Sequence, residues 1–227
     1  MTQDVPTGRP GPETARPEDG RPGVDGPEID TVVLDFGNVL VGWDPYGAFP
    51  GRSRAEVDAW MAEIDFPAFN LAQDAGRSWA DARATLADRP HLQPLLDEYV
   101  ERFAGTLTGP VPGSAELVDE LHDAGLRLLG LTNWSAELFR HAAPAAPATT
   151  RMEQVVVSGR VGLAKPDPAI FRHLATTHDV DPARAVFVDD SPANVAAAQG
   201  VGFHVVRFTT TPALRAALRD LGLPVQP

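Results

Sequence analysis

The 227-residue chain contains no cysteine. That absence excludes disulfides, thiolate zinc sites and cysteine nucleophiles together, and it fits a reducing compartment. Positive charge is also scarce: 19 Lys and Arg face 31 Asp and Glu, for a net charge of −12. Without a basic cluster the chain does not suit nucleic acid, whose phosphates need Lys and Arg to displace their counterions. An anionic membrane surface would repel it. No apolar stretch approaches the roughly 18 residues that span a bilayer, and no charged segment followed by an apolar run marks an export signal. The expectation is a soluble, cytoplasmic protein with no nucleic-acid or membrane partner, and nothing points to a protein partner. The histidines (His91, His122, His141, His173, His178, His204) form no pair three or four residues apart, so a zinc site is not expected.

What is present divides the chain. Residues 1–28 hold six of the 22 prolines and five of the 20 glycines, with no Leu, Ile or aromatic residue. Such a segment cannot bury enough apolar surface to offset its ordering entropy, so a disordered tail is expected there. From Ile29 onward, short continuous apolar runs recur at Thr31–Phe36, Leu126–Leu131, Val155–Val157, Ala185–Val188 and His204–Phe208. Continuous rather than alternating apolarity suits strands of a parallel sheet covered by helices on both faces. Ser114 opens an amphipathic stretch that stops at Gly125. Asp167-Pro168, Ser191-Pro192 and Thr211-Pro212 each pair a capping residue with proline at the first helical position.

The predicted fold is α/β: a Rossmann-like parallel-sheet core (29–47 and 109–227) with an inserted all-helical cap (48–108). Within the cap, Ser53-Arg-Ala-Glu56 reads as a capping box, Ser78 starts a second helix, and a third runs from about Gln93 to Phe103. Trp60, Phe66, Phe69 and Trp79 are read as its core, and Trp134 either shapes a pocket or packs. Ala142–Thr150 reads as a low-complexity loop. Gly159–Gly162 resembles half of a glycine fingerprint but opens no helix, so dinucleotide binding is not expected.

In an open parallel sheet, ligands bind outside the carboxyl ends of the strands. Asp35 ends the first run, Thr132-Asn133 follows the second, Lys165-Pro-Asp-Pro168 follows the third, and Asp189-Asp190 ends the fourth. Each alone reads plainly as a turn or helix cap. Together, in order and on one edge, they read as a site. Adjacent carboxylates that would repel one another suggest a hard cation such as Mg²⁺. Lys165, Thr132 and Asn133 supply donors for an anionic oxygen cluster, and Asp35 is placed to act as a carboxylate nucleophile.

At these residues the sequence resembles the haloacid dehalogenase-like hydrolase superfamily, over about residues 30–210. The first motif matches in Val32-Val-Leu-Asp35-Phe-Gly-Asn-Val-Leu, the second in Leu131-Thr132-Asn133-Trp134-Ser135. The third matches in Lys165-Pro166-Asp167-Pro168, the fourth in Val186-Phe-Val-Asp189-Asp190-Ser-Pro-Ala-Asn194. The resemblance implies that Asp35 is the nucleophile and that Thr132 and Lys165 bind the transferring phosphoryl group. It also implies that Asp35, the backbone carbonyl of Gly37, Asp190 and, through water, Asp189 hold Mg²⁺, while a helical cap encloses the substrate.

One departure stands out. Family phosphatases usually carry a second Asp two residues after the nucleophile, as general acid and base; here that slot is Gly37. A positioned acid or base typically contributes about 10²–10⁴ in rate. Asp-x-Gly nevertheless resembles the pattern of a phosphatase-like branch similar to sugar-phosphate phosphatases, so the change need not abolish activity. Asp44, at the entrance to the cap, is the nearest replacement carboxylate, though a cap or turn before Pro45 is the plainer reading. Arg77, at a cap turn, is a candidate clamp for an anionic substrate or a solvated side chain. The expected function is a Mg²⁺-dependent phosphatase acting on a small phosphorylated metabolite, such as a sugar phosphate, through an aspartyl-phosphate. The alternatives are a 2-haloacid dehalogenase, which needs no metal, and a phospholigand-binding protein with weakened turnover.

Overall fold

A computed structural model describes residues 28–227; residues 1–27, and with them almost all of the expected tail, lie outside the described residues. Five parallel strands form the main sheet: β1 (Thr31–Leu34), β4 (Arg127–Thr132), β5 (Gln154–Val157), β6 (Ala185–Asp189) and β7 (His204–Arg207). Their order is β5-β4-β1-β6-β7, so the first strand is central. Alternate residues along the strands feed two separate cores. Val32, Leu34, Leu128, Val186 and Val188 pack on one face, while Val33, Leu129, Leu131, Ala185 and Phe187 pack on the other. That two-sided burial is why the strands are apolar throughout.

Helices α5 (Ser114–Asp123) and α10 (Thr211–Asp220) cover the first face through Leu117, Leu121, Leu214 and Leu218. Helices α8 (Pro168–Thr177) and α9 (Pro192–Val201) cover the second through Ile170, Phe171, Leu174 and Ala198. Asp167 caps α8 as expected, accepting from the Ala169 N–H. Two caps differ from expectation: Thr210, not Thr211, caps α10, and Ser191 makes no side-chain capping bond. The expected loop at 142–150 is instead helical turns, with α6 at Ala142–Ala145 and a 3₁₀ turn at Pro147–Arg151. A four-residue helix α7 (Ser158–Val161) follows β5.

Between β1 and β4 the chain leaves the sheet through β2 (Val41–Trp43) and returns through β3 (Leu107–Pro110), which pair antiparallel. This ribbon overlaps a stretch in which no strand was expected. Its strands are short and carry Gly42, Gly109 and Pro110, residues that erase a strand signal. Gly47 and Gly105 cross at its base so closely that a Cβ on either would meet the other's carbonyl oxygen within 2.5 Å. The insertion beyond the ribbon holds α1 (Arg54–Ile64), α2 (Phe66–Asp74), α3 (Trp79–Ala84) and α4 (Gln93–Glu101). The Ser53–Glu56 capping box is present. The helix expected from that capping box ends at Ile64; Asp65, in a left-handed conformation, then separates it from α2, a helix the sequence did not announce. Trp60, Phe66, Phe69 and Trp79 are buried, as read from the sequence.

Candidate active site

The chain runs outward from β1 in one direction through β4 and β5, then crosses back to β6 and β7. Side chains at the carboxyl ends of β1, β4 and β6 therefore face the crevice where the strand order reverses. Leu34 is in register with Val188, so Asp35 and Asp189, one residue on, project side by side. Thr132 closes β4 and is buried beside them.

Lys165 reaches this point from the loop between α7 and α8. Its Nζ lies 2.9 Å from an Asp35 oxygen and 2.7 Å from an Asp189 oxygen, and donates to the Leu131 carbonyl at 2.9 Å. All three ammonium protons are thereby engaged. Burial works against the charge of Lys165, but the two carboxylates outweigh it and hold its pKa above the ordinary lysine value. Burial raises the pKa of Asp35 despite Lys165, and Asp189 adds to the rise. Asn133 fixes the loop: its amide accepts from the Lys165 N–H and donates to the Lys165 carbonyl, both at 2.8 Å. The side chain expected to bind substrate thus spends both its ends on the backbone that presents the lysine.

The adjacent aspartates differ. Asp189 is fully buried, and besides Lys165 it accepts from the Ser191 N–H at 2.8 Å and, on both of its oxygens, from the Asn194 side-chain NH2 at 3.0 Å. Asp190 is half-buried and receives one long contact, 3.4 Å, from Asn38. Asn38 takes a left-handed conformation (φ 56°), which Asn tolerates better than most residues, and its other amide end accepts from the Trp43 N–H at 3.2 Å. Oxygens of Asp35, Asp189 and Asp190 all lie within 4.8 Å of one another. Three carboxylates around one ammonium leave a local excess of two negative charges, which suits a divalent cation with oxygen ligands. Gly37 sits in the same turn, and a Cβ built on it would meet nothing within 4 Å.

Beyond these groups opens a cavity of about 130 Å³ between strand ends and insertion. Gly37, Asn38 and Asn133 line its floor; Trp43, Asn70, Asp74, Tyr99 and Trp134 are among the residues lining the rest. Asp74, the last residue of α2, was not singled out from sequence. It is half-buried, accepts from Asn70 at 3.2 Å, and has a pKa pushed up to about 7. Burial is the main cause; Lys165 opposes the rise and Asp35 adds to it. The available signal was Asn70 and Asp74 at i and i+4 on a short helix that is otherwise apolar except for Gln73. Tyr99 Oη and Trp134 Nε1 are buried with no hydrogen-bond partner among the described residues.

Two residues expected at the site are elsewhere. Asp44 is exposed and caps the 3₁₀ turn at Pro45–Ala48, accepting from the Tyr46 N–H at 3.0 Å. Arg77 turns back onto α2, bonding Gln73 and the Phe69 carbonyl and stacking over the Phe69 ring at 4.5 Å. Neither lines the cavity.

This fold and this edge define a class, and the comparisons agree: residues 29–202 match the haloacid dehalogenase-like hydrolase family. The chain belongs to that family. Its relatives include drimenol cyclase of Aspergillus calidoustus (27% identical, 79% of this chain and 34% of the relative). Enolase-phosphatase E1 of Frankia alni is 32% identical over 68% of this chain and 66% of its own. Protein CbbY of Rhodobacter capsulatus is 31% identical over 79% and 85%. The chain thus spans about a third of the first relative and just under two thirds of the second. A haloacid dehalogenase family enzyme of Bacteroides thetaiotaomicron, solved with magnesium and inorganic phosphate, shares the fold with a TM-score of 0.64. It is 18% identical over 81% of this chain and 96% of its own. The L-2-haloacid dehalogenase of Xanthobacter autotrophicus does so with a TM-score of 0.59, 22% identical over 85% and 83%. No helix among the described residues is long and apolar enough to cross a membrane.

Proposed function

We propose that the protein is a Mg²⁺-dependent phosphatase that removes the phosphoryl group from a small phosphorylated metabolite, a sugar phosphate being one candidate class. The observation that carries this reading is the charge pattern at the strand ends: Asp35, Asp189 and Asp190 around the single ammonium of Lys165. Asp35, the Gly37 carbonyl and Asp190 would hold the metal, with Asp189 acting through water because its own oxygens are already engaged. The bound cation would supply neutralisation of phosphoryl oxygens. Asp35 would attack phosphorus in line, forming an aspartyl-phosphate. Lys165 and Thr132 would bind the transferring group. The helical insertion (48–108) would act as the cap that excludes water and selects the substrate.

The dehalogenase reading keeps one observation in its favour, since an enzyme attacking carbon has no need of an acid at Gly37. Against it, no arginine among the described residues lines the cavity, and the one lysine is already neutralised by two carboxylates, so a haloacid carboxylate would find no counter-charge there. A panel of phosphomonoesters assayed for phosphate release with Mg²⁺ and with excess EDTA tests the proposal, with chloride release from 2-chloropropionate as the rival arm. Metal-dependent phosphate release is the expected result. Metal-independent chloride release would replace the phosphatase with the dehalogenase.

A further inference from the structure

In-line displacement fixes where a proton donor must stand. Asp35 lies at the ends of the core strands, so an attack by its carboxylate drives the ester oxygen out on the opposite side of phosphorus, toward the insertion. The turn after β1 has no acid to send there, because Gly37 carries no side chain. The insertion does. Asp74, at the C-terminal end of α2, lines the same cavity as Gly37, Asn38 and Asn133. Asn70 holds it from within its own helix.

Resting on the phosphatase reading, we infer that Asp74 of the insertion is the general acid for the leaving group, in place of the carboxyl missing at Gly37. As the Asp35 oxygen bonds to phosphorus and the ester P–O bond breaks, the Asp74 proton passes to the ester oxygen, which leaves as a neutral alcohol. The resulting carboxylate then takes a proton from the water that attacks the aspartyl-phosphate, which frees Asp35 and phosphate and restores the acid. Asp74 meets the other requirement for that role, since a pKa near 7 leaves a large share of it protonated at neutral pH. The charges that bear on it are Lys165 and Asp35 on the core side, and the un-ionised Tyr99 phenol lines the same cavity. The remaining charged groups nearby are engaged elsewhere: Arg77 with Gln73 and Phe69, Arg160 of α7 over the Phe139 ring, Asp81 with Ser78, and Arg83 with Asp97.

The test is a series of substituted phenyl phosphates, from p-nitrophenyl to unsubstituted phenyl, read as kcat/KM, which ends at the first irreversible step. Asp74→Asn is expected to lower kcat/KM about 10²-fold or more for phenyl phosphate and less than about tenfold for p-nitrophenyl phosphate, whose leaving group needs little protonation. Asp74→Glu should recover part of the phenyl phosphate activity. In the unmutated enzyme, the ratio of phenyl to p-nitrophenyl kcat/KM should fall as pH rises through about 7, and this arm needs no variant to fold. Equal losses on both substrates, no loss on either, or a ratio flat from about pH 5 to about pH 9 would overturn the assignment of Asp74. An unmutated enzyme inactive on the whole series in Mg²⁺ would instead remove the phosphatase reading, and this inference with it.

Discussion

At the strand ends, Lys165 has all three of its protons engaged and Asp189 accepts from Lys165, Ser191 and Asn194. Lining the cavity beside them, Tyr99 Oη of the insertion and Trp134 Nε1 are equally buried and bond to nothing among the described residues. The two walls are built to different rules. A polar group whose partners are in place before a ligand arrives presents a fixed charge pattern, costs little reorganisation and serves any substrate with the same reacting group. A buried donor left open gains its partner only from a ligand, so it rewards one that offers an acceptor and penalises one that does not. On this view the floor holds the reacting group, and the far wall chooses what enters and, through Asp74, supplies the proton for the leaving group.

The largest expected effect falls on the floor. Asp35→Asn should abolish phosphate release by several orders of magnitude while the melting temperature holds, since Asn keeps the shape but is a far poorer nucleophile. Activity within about tenfold of the unmutated enzyme would remove Asp35 from that role. Lys165→Met should act on stability instead, because it leaves Asp35 and Asp189 buried without their counter-charge. Breaking one side of a buried pair typically costs about 3–5 kcal/mol, and denaturant unfolding in EDTA would read it. A loss below about 1 kcal/mol would mean the floor is less tightly coupled than its geometry indicates.

The paired aspartates sharpen the contrast within the floor. Asp190→Asn should weaken Mg²⁺ about 10–100-fold with little change in stability, because Asp190 has only the long Asn38 contact to lose. Asp189→Asn should do the reverse, destabilising the fold by about 1–3 kcal/mol through the lost acceptors. Isothermal titration and thermal melts on both variants decide it; the opposite ranking would exchange their roles.

The difference between the walls also explains what could be read from sequence. The floor is made of residues at the ends of continuous apolar strands, and a strand end is visible because apolar runs stop abruptly at Asp35, Thr132 and Asp189. Order along the chain then places them on one edge. The far wall has no such marker. Asp74 and Tyr99 lie on separate helices, 25 residues apart in number, and meet only through the packing of α2 against its neighbours. The β2–β3 ribbon that roots the insertion was hidden for a related reason: its short strands carry Gly42, Gly109 and Pro110, which have little strand propensity, and its root is the close crossing of Gly47 and Gly105. Asn133 was visible as a polar residue after a strand, but its job as a clamp on the Lys165 backbone depends on a loop 32 residues away.

Tyr99→Phe tests the far wall directly and should be gentler. Removing a hydroxyl that has no partner in the free protein should leave stability unchanged or raise it, by up to about 1–3 kcal/mol. The same change should raise KM for the true substrate while kcat moves little, since a lost binding contact that is equal in ground and transition states appears in KM. A fall in melting temperature would mean that the phenol is bonded in solution and that the wall is not open there.

The smallest effect is expected at Asp44, which the sequence offers as the replacement acid and which the fold puts on the surface. Its carboxylate accepts from the Tyr46 N–H at the start of a 3₁₀ turn. Asn caps about as well as Asp, whereas Ala forfeits the bond at about 0.5–2 kcal/mol. Asp44→Asn should therefore leave both melting temperature and kcat/KM within about twofold of the unmutated protein, and Asp44→Ala should lower stability alone. The leaving-group series again separates the readings. A general acid lost at Asp44 would slow phenyl phosphate far more than p-nitrophenyl phosphate; a lost cap would slow neither. If Asp44→Asn did produce the leaving-group-dependent loss expected of Asp74, the proton would come from the mouth of the insertion and not from α2. Charge at the root of β2 would then join the floor as part of the chemistry, and the division between the two walls would have to be redrawn.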